Sequence, residues 1–285
     1  MNFYFLPSRR CIVLWSQKCA CTSLSRWIRH SFEEAKTCEK GTSARTHLAK
    51  TGHNFKDINN LQSLTCGDQP VAKNIVVSYR DPASRITSSF VNKFHVYQNR
   101  TIFDGQQEIQ GFSWKFGNAL IQDLHESKGV KRKPGDFSLK EMILFLYRHR
   151  DGLDAINAHF TPQLHSQLQL KTIKSMDRAQ IRIFPLRVEN FRNDLKTINK
   201  RFELKYLPAS VNSTVMPGDD WVFAESDELI DWPVSQLFLK KVIPKAKSLQ
   251  SALDRDADFK AKYMEVFQHD YALMSWLESR RQSKQ

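Results

Sequence analysis

Short apolar runs alternate along the chain with stretches of helical periodicity. Cys11–Trp15 (C-I-V-L-W) is apolar at every position, the pattern of a strand buried on both faces. The segment Thr22–Ala35 follows, with Leu24, Trp27, Ile28 and Phe32 on one stripe, and predicts a helix. Asn74–Tyr79 (N-I-V-V-S-Y) predicts a second strand. It runs into Asp81-Pro82, where proline suits the first turn of a helix carrying Ile86, Phe90 and Phe94 at i, i+4 and i+8. Ala179–Leu186 reads as a third strand with a helix near Glu189–Arg201 behind it. Ser138 and Glu141 have the spacing of a capping box opening an apolar run through Tyr147. A further helix is expected around Trp114–Leu124, inside a helical insertion around 103–160. Phe259–Trp276 is amphipathic through Tyr263, Val266, Phe267, Tyr271 and Met274, and the tail S-R-R-Q-S-K-Q is expected to fray into solvent.

Strands alternating with helices predict an α/β fold on a largely parallel sheet. At 285 residues, 41% of them hydrophobic, the chain can bury a sizeable core, and the expected organisation is one domain over 1–285. No internal repeat or low-complexity segment interrupts it.

Charge narrows the partners. Lys and Arg number 43 against 30 Asp and Glu, a net charge of +13, which favours anionic ligands: a nucleotide cofactor, a polyanionic glycan, nucleic acid or an anionic lipid surface. Cys11–Trp15 is far too short for a signal-peptide core, and no stretch approaches the roughly 20 apolar residues of a membrane span. Five cysteines without a secretory signal read as reduced thiols in a cytoplasmic protein. A Golgi-lumen catalytic fragment, supplied without its anchor, would look the same.

Chemistry concentrates first in Ser16-Gln-Lys-Cys-Ala-Cys-Thr-Ser23, between the first strand and the first helix. Cys19 and Cys21 could begin a metal site, but a structural zinc needs about four ligands, and Cys38 and Cys66 stand alone, so no metal is expected. A strand-to-helix turn exposes unpaired N–H groups at the positive end of a helix dipole, which suits phosphate. Lys18 adds a full charge, and Thr22 and Ser23 add hydroxyl donors. The glycine-rich G-x-x-x-x-G-K-[ST] loop of nucleoside-triphosphate hydrolases is absent. A second group, Tyr79-Arg-Asp-Pro-Ala-Ser-Arg-Ile-Thr-Ser88, puts Arg80 at a strand end and Ser88 two helical turns on. Both could reach one phosphate, the arginine through charge-assisted bonds. Arg85 could pair with Asp81 across the first helical turn.

Together Q-K-C-A-C-T-S and R-D-P-A-S-R-I-T-S-S-F resemble the two cofactor signatures of sulfotransferases that use 3′-phosphoadenosine 5′-phosphosulfate (PAPS). The likeness extends through Asn157-Ala-His-Phe160, Ile183–Asp194 and Lys262–Leu277. Their order is similar to that of the carbohydrate sulfotransferases of the chondroitin and dermatan type. It covers nearly the whole chain, with poor matches at Phe103–Pro134 and 205–255. The resemblance implies a P-loop-like central parallel sheet flanked by helices, a three-layer sandwich. It implies that Lys18, Thr22 and Ser23, with Cys21 in the same loop, hold the 5′-phosphosulfate, and that Arg80 and Ser88 hold the 3′-phosphate. Gln17 stands where the family usually has proline.

Sulfuryl transfer needs an in-line approach, positive charge on the departing phosphate, and a base for the acceptor hydroxyl. Histidine is the natural base near neutral pH, and nine histidines compete. Arg45-Thr46-His47-Leu48 resembles the K-T-H-L stretch of cytosolic sulfotransferases, so His47 is the expected base, with Arg45 near the sulfuryl group. His53 is its nearby substitute, and His159 is expected to line the acceptor site. Arg187 and Lys205 are further basic candidates. The expected activity is PAPS-dependent O-sulfation of a carbohydrate acceptor, an anionic one included, leaving the product PAP. It requires no metal, and nucleic acid is not an expected partner. The alternatives are sulfation of a lipid or small-molecule hydroxyl, a P-loop kinase, and a non-enzymatic polyanion-binding module.

Overall fold

The unbroken apolar run Cys11–Trp15 forms a strand, β2, whose five residues are all buried. It lies mid-sheet because only a central strand flanked by two helical layers can bury both faces. The computed structural model describes residues 2–36, 54–55, 71–97, 99–105, 108–129, 131–164, 167–178, 181–208 and 216–282. They fall into two compact units, one of residues 1–80, 163–211 and 269–285, the other of 81–162 and 212–268.

In the first unit β1 (Asn2–Leu6), β2, β3 (Asn54–Phe55), β4 (Asn74–Tyr79) and β5 (Arg182–Arg187) form one sheet in the order β3-β1-β2-β4-β5. Ile12, Val13 and Leu14 lie parallel beside Ile75, Val76 and Val77, and Val76 lies parallel beside Phe184. The largely parallel expectation holds for β2, β4 and β5. The edge departs from it: β1 runs antiparallel to β2, and β3 antiparallel to β1.

The two-residue period of the strands sorts side chains into two cores. Ile12, Leu14, Ile75, Val77 and Ile183 pack with Leu170, Ile173 and Met176 of one helix and with Leu273 and Leu277 of the C-terminal helix. On the other face Cys11, Val13, Trp15 and Val76 pack with Leu24, Trp27, Ile28, Leu195 and Ile198. This is the expected three-layer arrangement. The helices are α1 (Cys21–Ser31), α2 (Gln167–Arg178), α3 (Phe191–Phe202) and the C-terminal helix Ala257–Gln282, which enters this unit at His269. The indole N–H of Trp27 donates to Asn199 Oδ1 at 2.8 Å, so even this buried polar atom is satisfied across α1 and α3.

Two local expectations change. The first helix stops at Ser31, because Phe32 takes extended dihedrals (φ −119°, ψ 136°), and a separate short turn follows at Glu33–Lys36. Arg280 and Arg281 in that tail are not frayed: helix persists to Gln282, Arg281 pairs with Glu278 and Asp194 at 3.0 and 2.9 Å, and Arg280 pairs with Asp177. Three carboxylates hold two arginines that read as solvated tail in sequence; residues 283–285 lie outside the described residues.

In the second unit Asp81 caps the helix Pro82–Phe90, its carboxylate accepting from Ser84 N–H at 2.7 Å. Buried Arg85 donates to the Thr161 carbonyl. The helix continues into a π-helical turn, Val91–His95. Phe94 meets Phe137 at 4.7 Å, and Phe116 meets Phe160 at 4.1 Å, between ring centroids. Gly117 in helix Gly111–Lys128 has a packing reason: a Cβ there would stand 3.2 Å from the Gly135 nitrogen. The capping box forms, with Glu141 N–H on Ser138 Oγ at 3.1 Å and Ser138 N–H on Glu141 Oε2 at 2.8 Å. Val222–Ala224 and Val242–Pro244 form a small parallel pair. Among the described residues no helix is long and apolar enough to cross a membrane.

Candidate active site

At the carboxyl end of β2 the chain turns through Ser16–Ala20 into α1, the region that sequence reading marks for an anion. No glycine is present, yet two residues take left-handed conformations, Lys18 at φ 64° and Ala20 at φ 57°. Each costs a non-glycine residue roughly 1–2 kcal/mol, so the neighbouring structure must hold the turn. It does so through the carbonyls. Ser78 Oγ donates to the Cys19 carbonyl at 2.8 Å, and Arg80 Nη1 approaches the Lys18 carbonyl at 3.4 Å. Cys19 N–H closes the turn on the Ser16 carbonyl at 3.2 Å, and Leu24 N–H begins the helix on the Ala20 carbonyl at 2.9 Å.

With its carbonyls drawn toward β4, the turn leads into a helix N-terminus that no side chain caps. Cys21, Thr22 and Ser23 are the first three residues of α1, where backbone N–H groups have no intrahelical acceptor. Lys18 is half-buried, Thr22 is exposed and Ser23 is buried. Cys19 is a buried free thiol whose sulfur donates to Gln163 Oε1, and Ser16 Oγ reaches Cys19 Sγ at 3.2 Å. Gln17, in the place of the usual proline, is buried, and its Oε1 lies 3.9 Å from Cys21 Sγ.

Arg80 follows the last residue of β4. Among the described residues its Nε is buried without a hydrogen-bond partner, and Glu189 Oε1 stands 3.6 Å away. Glu189 also faces Arg187 Nε at 3.3 Å. Arg187 in turn donates to Glu278 Oε1 at 3.0 Å, which accepts from the Tyr79 hydroxyl at 2.7 Å. Burial, then this carboxylate, pushes the Tyr79 hydroxyl far above the ordinary phenol range. For Glu278 burial works against ionisation, but bonds from Tyr79 and Arg281 hold its carboxyl below its usual value. Arg187, expected near the cofactor or acceptor, is therefore engaged by carboxylates, and one of them is shared with Arg80.

The second unit holds the other described candidates. Ser88 lies on the helix Pro82–Phe90, where its Oγ accepts from Asn92 Nδ2 at 3.2 Å. His159 is tightly positioned. Asn157 Oδ1 accepts from its Nδ1 at 2.7 Å and from its backbone N–H at 3.1 Å. The ring stacks on Phe112 at 4.6 Å and 15°. A donor at Nδ1 makes Nε2 the acceptor nitrogen of the neutral ring, the tautomer a base requires. Buried Lys93 shares the surroundings, its Nζ 5.1 Å from the Phe112 centroid and 2.7 Å from Gln110 Oε1. His47, Arg45 and His53 lie outside the described residues.

Sequence reading missed Ser78, Glu189, Gln163 and Asn157. Ser78 gave a signal, as the one serine in the run Ile75–Tyr79, and Asn157 sits in the quoted N-A-H-F segment. The donor set in the first unit suits phosphate oxygens. It combines an uncapped helix start, a lysine, and an arginine with an unfilled buried N–H. Among the described residues no cluster of three metal-ligating side chains occurs.

A family model described as "Sulfotransferase family" matches residues 2–207, more than half of the chain. No curated protein and no solved structure matches.

Proposed function

The chain belongs to the sulfotransferase family, and we propose that it transfers a sulfuryl group from PAPS to a hydroxyl of a carbohydrate acceptor. PAPS supplies an activated sulfuryl group: its S–O bond to phosphate breaks, a new S–O bond forms to the acceptor oxygen, and the acceptor proton leaves to a base. Within this reading Lys18, Cys21, Thr22 and Ser23 bind the 5′ end through ammonium charge, hydroxyls and the N–H groups of the α1 start. Arg80 and Ser88 bind the 3′-phosphate. His47 accepts the proton, with His53 as its substitute, Arg45 steadies the sulfuryl oxygens, and His159 positions the acceptor. Lys18 and the helix dipole stabilise negative charge as it builds on the leaving phosphate, electrostatic work that needs no resident metal.

The observation that carries the proposal is the glycine-free turn. Two strained residues are held by Ser78 of the neighbouring strand and by Arg80 just after it, and this supports the reading in which Lys18 and the uncapped helix start bind one anion. The carbohydrate acceptor rests on the order of the later segments and on the net charge of +13. A cytoplasmic setting is part of the proposal; among the described residues Cys11, Cys19 and Cys21 form no disulfide. The test is incubation of the full chain with labelled PAPS and a panel of sulfated and unsulfated glycans, lipids and phenols. Label is expected on a glycan. Label confined to a lipid or phenol would replace the acceptor assignment. His47→Ala is expected to abolish turnover while PAP still binds, and retained turnover discards His47 as the base.

A further inference from the structure

The outer side of α2 carries a feature that sulfuryl transfer does not use. Leu170, Ile173 and Met176 turn into the core, which leaves Lys171, Lys174 and Ser175 on the opposite side at i, i+3 and i+4. They line a cavity of about 510 Å³ together with Asp177, Trp276 and Arg280, a volume within the range of small-ligand sites. None of the six belongs to the Ser16–Ser23 turn or to the Arg80 cluster.

The charges in this cavity do not balance. Asp177 is neutralised by Arg280, whose Nη1 donates to Asp177 Oδ1 at 2.8 Å while Nη2 faces Oδ2. Lys171 and Lys174 meet no carboxylate among the described residues. Side chains three apart on a helix stand about 5–6 Å apart at Cβ, so both lysines raise the positive potential of one wall, to which a ligand bearing neighbouring negative groups is drawn. The sixth wall separates two kinds of polyanion. Arg280 covers the Trp276 ring, its guanidinium carbon 5.4 Å from the centroid. Single-stranded nucleic acid depends on open aromatic faces for base stacking, and here Arg280 occupies one of the two faces. A glycan recognised through its sulfates or carboxylates needs only the cations.

We propose that the cavity between α2 and the C-terminal helix is a second glycan site, which holds a sulfated or uronate-bearing saccharide through Lys171 and Lys174. This rests on the carbohydrate-acceptor reading and extends it: the enzyme grips an already anionic stretch of its polymer away from the transfer site.

The experiment is calorimetric titration of the full chain with a size-defined chondroitin sulfate hexasaccharide, its desulfated counterpart, and a single-stranded DNA of matched charge, each at two salt concentrations. The variants are Lys171→Gln/Lys174→Gln and Lys171→Arg/Lys174→Arg, with a PAP titration and thermal melt of each as the folding control. Gln replacement is expected to weaken the sulfated probe at least about tenfold, the size of two lost charge-assisted contacts. It should also lower the salt slope by about 1 to 2, as two fewer cations release counterions. The Arg pair restores both. Unchanged affinity and slope in the folded Gln variant overturn the proposal, as does tighter binding of DNA; equal binding of the desulfated probe, which keeps its uronate carboxylates, supports the site with those carboxylates as its ligand. Glycan binding that depends on these lysines in a chain that fails to bind PAP supports this site and refutes the transfer reading alone.

Discussion

Arg80 allows the cofactor assignment to be tested with two ligands that differ by one phosphate. Its guanidinium has a buried Nε without a hydrogen-bond partner, a 3.4 Å approach to the Lys18 carbonyl, and Glu189 at 3.6 Å. Charge-assisted hydrogen bonds contribute about 1.5–3 kcal/mol. The resident ion pair has side chains 23% and 33% exposed, so what a phosphate must displace is worth at most about 1 kcal/mol. Truncation in Arg80→Ala should therefore raise the Kd of PAP about ten- to a hundredfold, at about 1.4 kcal/mol per decade. Adenosine 5′-phosphate lacks the 3′ group and should lose no more than about threefold. The opposite perturbation, Glu189→Gln, removes the competing carboxylate and should tighten PAP by up to about fivefold while leaving the monophosphate unchanged. Calorimetric titration of both ligands at one salt concentration measures all of these, with a melt to establish folding. Equal loss for the two ligands in Arg80→Ala refutes the assignment of this arginine to the 3′-phosphate.

Other variants probe the turn and the second unit. Lys18→Gly relieves the left-handed strain, roughly 1–2 kcal/mol, and so should keep the thermal midpoint while PAP binding falls at least about tenfold; intact PAP affinity excludes the ammonium from the site. Ser78→Ala removes a donor from the buried Cys19 carbonyl, a loss of about 1–3 kcal/mol, which should lower the midpoint by several degrees and weaken PAP together; an unmoved midpoint refutes the pinning. Burial lowers the His95 pKa to about 4, against roughly 6.5 in the unfolded chain. Its contribution to stability is thus complete above pH 6.5 and lost as pH falls toward 4. Urea unfolding at pH 7 and pH 5 should show a loss that His95→Gln reduces, and equal slopes in both proteins reject it. Asn157→Ala removes the oxygen that orients the His159 ring and should raise the acceptor KM several-fold with PAP affinity unchanged. An acceptor KM that stays fixed removes His159 from the acceptor site.

The strands were legible because a run such as C-I-V-L-W has no stable place except a two-sided core. Lys18 and Arg80 were legible as charges at strand ends, but the shape that makes them useful was not. The left-handed turn depends on Ser78 and Arg80, about sixty residues away in sequence, and spacing says nothing of that pairing. Glu189 was hidden for the same reason, since its proximity to Arg80 follows from β5 lying beside β4. The strand Asn2–Leu6 and the helix Gln167–Arg178 went unread, the second because its apolar positions lie among Lys, Thr and Gln. Reading the tail as frayed failed because ion pairs formed through the fold are invisible to composition.

Under the proposed assignment, the bond from Arg80 to the Lys18 carbonyl would make the two ends of the PAPS site thermodynamic neighbours. A ligand that draws the guanidinium toward a 3′-phosphate also moves the group that steadies the turn around Lys18, and coupling free energy is reciprocal. Occupancy at the 5′ end must then alter affinity at the 3′ end by the same factor as the reverse. A bisphosphate would be distinguished from a monophosphate by more than the contacts of its extra group. In the proposed reading, one 3.4 Å hydrogen bond couples the two ends of a single small molecule.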